Sequence, residues 1–413
     1  MALDFASAEL SEEEFRDRRE RARRSGDPAW LWPEVSVDDW ADAMAHLSHA
    51  IGSVLQGQSA ELPASDSRGM SLACYTSGIG PLLGRWVESG LLSGPAETLQ
   101  LLLLHLNRSR ARSKQTEKHY RRIVSELSRF DVPVIVLKGG HTSHAYFPEP
   151  ATRPASDLDL LVPGDRARTA GAALTEAGLR CLARGKRESS WVQPETSRTP
   201  RSIWLLGPQD PWSIDLHSSL DASASPGAPI IRFDSANPFS TTERSALGAS
   251  ARSLSQPLLL LHLAVHASGG LQSLTLLRMV EMVFVVRSDF GNRRSAWERF
   301  VAVGRATGAL GGAYPALCMC ERLAPGTVPA NVLALAAESA PTRVRSVVEK
   351  LTPANAQRVS RASISEHFMW VTGMQGWLRQ LAADILPSSG SGDPIRSIYE
   401  ARAYRLLRRR ITR

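Results

Sequence analysis

At 413 residues and 45.0 kDa the chain exceeds what one hydrophobic core ordinarily organises, so two or three packed units are expected rather than one small module. Hydrophobic residues at 43% and charged residues at 22% exclude a mainly disordered, collagenous or fibrous chain, and the longest apolar stretches (101–106, 257–267 and 279–286) fall short of the roughly 18–20 residues that cross a bilayer. The formal charge is +8, but the basic residues are almost all arginine, a skew that reads as genome composition and makes the basic balance weak ground for a nucleic-acid partner.

The first residues lack the basic start and apolar middle of a secretory leader, which points to the cytoplasm. Cys74, Cys181, Cys318 and Cys320 are few and scattered, and read as buried thiols rather than disulfides or a zinc site. Ser11 followed by Glu14 forms a capping-box pattern, so a short exposed helix is expected over 11–24. A loop at 56–69 precedes apolar positions at helical spacing over 79–106, which lead into a basic helix at 108–129. Residues 1–130 are therefore expected to form an N-terminal helical region.

The pattern changes at Asp131. A short β-branched run over 132–137, bounded by Gly139 and Gly140, predicts a buried strand. A helix about 141–147, a Pro-rich turn, a second strand over 157–162 and a helix over 166–178 follow. Two further strand-like runs, 202–206 and 212–216, read as a hairpin and close an α+β unit at 131–222. An irregular stretch then gives way, from Leu254, to helices up to about 387; a linker at 388–394 and a basic helix at 395–413 end the chain. The expected fold is α+β: a small mixed-sheet core at 131–222, helical regions at 1–130 and 223–387, and a 388–413 tail.

Chemistry concentrates in three carboxylates. Residues i and i+2 of a strand share a face, so Asp157 and Asp159 would sit side by side while Leu158 and Leu160 enter the core. Such a pair repels itself unless a cation intervenes, and hard Mg²⁺, bound through carboxylates and substrate phosphates, suits it. Asp215, on a strand of the same pattern, is a third candidate ligand. Lys138-Gly139-Gly140, between a buried strand and a helix, offers backbone N–H groups to a phosphate. His217 lies two residues past Asp215, hence on the same face, where it could orient Asp215, bind the acceptor or act as a base, or be purely structural. His262 and His266 are spaced i, i+4 without a third zinc ligand and read as core or pocket-lining residues; the tryptophans read as packing residues, with Trp191 and Trp204 guesses for flanking a base or acceptor.

Taken together, Val-Leu-Lys138-Gly139-Gly140, Tyr146, Arg153-Pro-Ala-Ser-Asp157-Leu-Asp159-Leu-Leu-Val and Ile214-Asp215-Leu-His217 resemble the bacterial uncharacterised nucleotidyltransferase family, NTP-transferase 5 type, of the DNA polymerase beta-like superfold. The resemblance covers about 95 residues well and extends more weakly through the helices that follow. In the helix over 276–287, where relatives commonly carry aspartate, this chain has Glu281. The resemblance implies that Asp157 and Asp159 hold Mg²⁺ on a triphosphate and that Asp215 completes a second metal position. It implies phosphate binding by Gly139 and Gly140, charge neutralisation by Lys138 and Arg153, and NMP transfer from an NTP, ATP by default, with release of pyrophosphate. The acceptor stays open among a small molecule, a sugar or aminoglycoside, a natural-product peptide and tRNA, and a place in specialised metabolism rests on analogy. Alternatives are phosphoryl transfer on the same site, a catalytically idle partner protein in a biosynthetic complex, and an RNA- or peptide-binding protein using its basic helices.

Overall fold

The computed structural model describes residues 35–64, 67–185, 187–194, 212–240, 242–248, 250–269, 274–357, 366 and 368–385, with a few residues between 13 and 21. The expected strand at 202–206, Trp204, the 388–394 linker and the basic helix at 395–413 lie outside them.

Helix α1 (Val37–Leu55) starts at Ser36, whose hydroxyl accepts from Asp39 N–H at 3.0 Å while the Asp39 carboxylate accepts from Ser36 N–H at 3.3 Å, a reciprocal cap that satisfies two exposed donors. Its buried stripe, including Met44, Leu47 and Ile51, packs against α2 (Ser67–Ser77). Helix α3 (Gly80–Glu88) lies against α4 (Ala96–Arg129), a 34-residue rod about 50 Å long. Gly84 permits that approach, since a Cβ there would stand 2.3 Å from the Leu102 carbonyl oxygen. Between these helices β1 (Ala60–Glu61) and β2 (Leu92–Ser93) form a two-residue parallel pair.

The main sheet follows: β3 (Val134–Val136), helix α5 (Lys138–Ala145), β4 (Asp157–Leu161), helix α6 (Ala167–Glu176), β5 (Arg180–Arg184), β6 (Glu188–Val192), β7 (Ser213–His217), β8 (Thr242–Arg244) and β9 (Ala251–Leu254). Its seven strands run in the order β5-β6-β7-β4-β3-β9-β8, with β4–β7 and β3–β9 parallel and the other neighbours antiparallel. The rest is helical: α7 (Leu258–Gly269), α8 (Leu276–Asp289), α9 (Arg294–Thr307), α10 (Leu310–Leu323), α11 (Ala330–Ser339), α12 (Thr342–Val348) and α13 (Gly373–Ile385). The architecture is thus α+β, a mixed sheet flanked by helices. No helix among the described residues is long and apolar enough to cross a membrane.

Strand alternation splits the interior in two. Val136, Leu158, Leu160, Ile214 and Leu216 meet Ile123 and Leu127 of α4 and Leu174 of α6 in one core. Ile135, Leu137 and Leu161 join the larger core built by α1–α3 and α7–α12. The site carboxylates therefore face the C-terminal helices.

Three expectations need correction. Strand β7 is not half of a hairpin with 202–206: both its edges are occupied, by β4 and by β6. Strand β6 escaped notice because Glu188-Ser-Ser-Trp-Val buries only its last two residues and so carries little apolar signal. The stretch read as irregular before Leu254 supplies β8 and β9, the latter lying parallel to β3, so the sheet draws on residues beyond 222. The cysteines form no disulfide; Cys74 and Cys320 are buried, whereas Cys181 and Cys318 are only half-buried, and burial pushes the Cys74 thiol up to about 12.

Gly140 joins α5 to the sheet at close range, a Cβ there standing 2.5 Å from Leu158 Cδ1 and 2.8 Å from Val136 Cγ1. Gly140→Val should overpack this contact and lower the unfolding free energy by about 1–3 kcal/mol in a denaturant titration; an unchanged midpoint would contradict the packing.

Candidate functional site

The register of β4 and β7 builds the site. Asp159 pairs with Asp215 across the parallel ladder and Asp157 lies two residues back from Asp159, so the three carboxylates share one sheet face. Two residues beyond Asp215, His217 shares that face too. On the other side of β7 the antiparallel register sets Ser190 opposite Asp215 and Glu188 opposite His217.

These groups are already in contact. Lys138 Nζ lies 2.7 Å and His217 Nε2 3.0 Å from the same Oδ1 of Asp159. Ser190 Oγ donates to Asp215 Oδ1 at 2.7 Å, and His217 Nδ1 stands 3.6 Å from Glu188 Oε2. Lys138 reaches Asp159 from a left-handed backbone (φ 44°), a conformation L side chains adopt only at a cost, and such strain collects at functional positions. The adjoining Leu137 N–H donates to the Asp159 carbonyl at 3.0 Å and fixes the α5 N-terminus to β4.

The paired aspartates differ in kind. Burial, reinforced by the charges of Asp159 and Asp215, raises the Asp157 carboxyl above the usual carboxylate range. Burial pushes Asp159 the same way, but the His217 hydrogen bond and the Lys138 charge outweigh it and hold this carboxyl well below the usual range. Ionised Asp157 therefore costs the fold stability, a cost absent at low pH and incurred as pH rises through its raised folded value. Ionised Asp159 contributes stability that is present above its unfolded pKa and lost as pH falls through its folded value.

Arg153 and Glu281 form a second layer. Arg153 Nε and Nη2 donate to Glu281 Oε1 and Oε2 at 3.1 and 3.0 Å, and the Thr142 hydroxyl also donates to Glu281. Burial alone would lower the Arg153 pKa, but Glu281 raises it on balance. Gly139 makes room for this pair: a Cβ there would lie 2.0 Å from Arg153 Nη1. Glu281, whose part the sequence left open, is thus the buried carboxylate that orients Arg153.

A cleft of about 690 Å³ opens over this face, lined by Lys138, Gly139, Arg153, Asp157, Asp159, Asp215 and His217. Gly140 is not among the lining residues; it packs below, against Leu158 and Val136. Arg187 and Arg278 also line the cleft, as do His262 and His266. Arg278 was missed in the sequence; its signal was a charged residue three positions before Glu281 in the apolar part of α8, 276–286. Trp191 does not flank the cleft: strand alternation sends Ser190 toward it and Trp191 into the opposite core, against Gly171. Among the described residues no three His, Cys, Asp or Glu side chains form a closed metal cage. The acidic face fits a hard cation shared with phosphate oxygens rather than one enclosed by protein ligands.

The asymmetry of the aspartates predicts opposite effects of one substitution. Asp159→Asn should lower the unfolding free energy by about 1–3 kcal/mol, because Lys138 and His217 lose a charged acceptor. Asp157→Asn, measured by calorimetry at pH 7 with a chelator present, should raise the melting temperature by about 1–3 °C. Destabilisation by both would contradict the assignment.

No curated protein and no solved structure is significantly similar to this chain. A family model described as uncharacterised nucleotidyltransferase matches residues 73–325, more than half the chain, and that span holds β3 to β9, the cleft and helices α7 and α8 that roof it. The chain belongs to this uncharacterised nucleotidyltransferase family.

Proposed function

We propose that this nucleotidyltransferase is Mg²⁺-dependent and moves an NMP group from an NTP, ATP by default, to a hydroxyl of an acceptor, releasing pyrophosphate. The observation that carries the reading is the pairing of three carboxylates on one sheet face with Lys138, Arg153, Arg187 and Arg278 around one cleft. An anionic floor beneath a cationic rim suits a polyanion that brings its own divalent cation. Bound at Asp157 and Asp159, with Asp215 beside them, the cation would offset triphosphate charge and acidify the acceptor hydroxyl.

The chain's own groups supply positioning and charge. Arg153, oriented by Glu281, and Arg278 face phosphate oxygens as planar forks, and Lys138 as a point charge. Lys138 and His217 keep Asp159 ionised, as a cation ligand must be. Gly139, which lines the cleft, lets the Arg153 guanidinium lie against the α5 N-terminus, where a phosphate would meet both. The acceptor oxygen bonds to the α-phosphorus as the bond from that phosphorus to the pyrophosphate oxygen breaks. The hydroxyl proton passes to the Asp215 carboxylate, which Ser190 holds in place.

In this reading the 131–222 segment, its sheet completed by β8 and β9, is the catalytic unit, and the helical regions before and after it shape the acceptor side. A complete carboxylate set argues against an idle scaffold. RNA binding along α4 is disfavoured by its ion pairs: Arg110 bridges Glu88 and Glu149, Arg121 meets Glu117, and Arg129 meets Glu126 and Glu176.

Incubation of the protein with Mg²⁺, α-labelled or γ-labelled NTPs and a small-molecule extract tests the reading. Label should move from the α-position with release of pyrophosphate, and Asp157→Ala or Asp159→Ala should lower the rate at least about a hundredfold. Transfer of the γ-label with release of a nucleoside diphosphate would establish phosphoryl transfer instead, and undiminished transfer by both variants would refute the site.

A further inference from the structure

Beyond the cleft lies a second cavity of different character. It holds about 320 Å³, and its walls are Ile231, Phe233, Val265 and Trp370, with Gly311 and Gly312 of α10 among the lining residues. Ala222, Ser223, His262 and His266 line both this cavity and the carboxylate cleft, so the two spaces are adjoining chambers with the imidazoles at their boundary. The rings of His262 and His266 are 6.3 Å apart, and Phe233 meets His262 edge to face at 5.9 Å. Such contacts hold the His262 ring in place from the apolar side.

The chemistry of the walls narrows the occupant. Its size is at the small end of ligand sites, too small for a folded partner, and the side chains of its walls are mostly apolar. Two buried groups lack a hydrogen-bond partner among the described residues: Nδ1 of His262, which is 8% exposed, and the indole N–H of Trp370, which is 7% exposed. Native interiors rarely leave such groups unpaired. Burial, with Lys138 and His217 nearby, pulls the His262 imidazole down to about 3. The His262 ring is therefore neutral at physiological pH, able to direct a hydroxyl but not to attract an anion or repel a cation.

We infer that this apolar chamber is the acceptor site, and that the acceptor is a compact, mostly apolar alcohol or phenol whose hydroxyl passes the His262–His266 boundary toward Asp215. The inference rests on the nucleotidyl-transfer reading for the word acceptor, but the chamber's ligand class stands on its own geometry. An aminoglycoside or other highly hydroxylated sugar would leave its polar groups unpaired against Ile231, Phe233 and Val265. A nucleotide meets the opposite chamber, where the cations are.

Gly269 gives the cleanest variant, since it lines the cavity and a Cβ there meets nothing within 4 Å, so Gly269→Leu adds bulk at the cavity wall with no clash at its Cβ. Gly312→Leu serves as a second, its Cβ meeting only the flexible end of Ile231 at 2.9 Å and Val265 Cγ2 at 3.3 Å. Circular dichroism first establishes that each variant folds. The probe is 2-naphthol, whose fluorescence reports binding and whose hydroxyl can accept a nucleotidyl group. The wild type should bind it, and the folded cavity variants should bind it at least about tenfold more weakly. Mg²⁺-dependent NTP binding should stay within about twofold of wild type in both, because the filled chamber is not the charged one. Absence of 2-naphthol binding, binding unchanged in the folded variants, or displacement of the probe by kanamycin would overturn the assignment. Chamber-dependent 2-naphthol binding in a protein that binds no Mg²⁺-NTP would leave the ligand class standing and refute the nucleotidyl-transfer reading.

Discussion

Repulsion among three carboxylates on one face of a buried sheet is the constraint around which this molecule is arranged. The register of β4 against β7 brings Asp157, Asp159 and Asp215 together, and nothing in a strand's geometry can separate them once it is set. The chain answers from three directions: the Lys138 cation from the strained start of α5, the His217 imidazole from β7, and the Arg153 cation held by Glu281 of α8. Compensation is uneven, since Asp159 takes both direct contacts while Asp157 carries the raised pKa. In the proposed reading, a cation and a triphosphate would relieve that residual repulsion.

The same constraint explains why the helical region is more than a support. Glu281 is buried at 2% exposure, which an unpaired carboxylate would not tolerate; it is stable there because Arg153 and Thr142 satisfy it. One buried ion pair therefore ties the sheet's site to α8. Helix α7 adds His262 and His266, which line both the charged cleft and the apolar cavity.

Much of this was legible from local pattern. The i, i+2 rule placed Asp157 with Asp159, and the β-branched run with its glycine pair announced β3 and the turn into α5. Strands β5, β6, β8 and β9 were not legible, because short or half-exposed strands carry no apolar alternation and exist through their neighbours. Arg153 was picked out as a charge for phosphate, but its partner Glu281, 128 positions away, belongs to tertiary packing that no local motif encodes. The place of Trp191 turned on which residues of β6 face the cleft, which is fixed only once β6 pairs with β7.

The central claim, that the carboxylate face binds a divalent cation together with a triphosphate, is tested most directly by thermal stabilisation. Wild type and Asp159→Ala proteins are melted with ATP, GTP, CTP and UTP, each with and without Mg²⁺, because a ligand that binds the native state raises its melting temperature. A shift for at least one nucleotide that requires Mg²⁺ and disappears in the variant is the predicted result, and it also identifies the donor. Shifts that are absent for all four, or that persist in Asp159→Ala, would contradict the account.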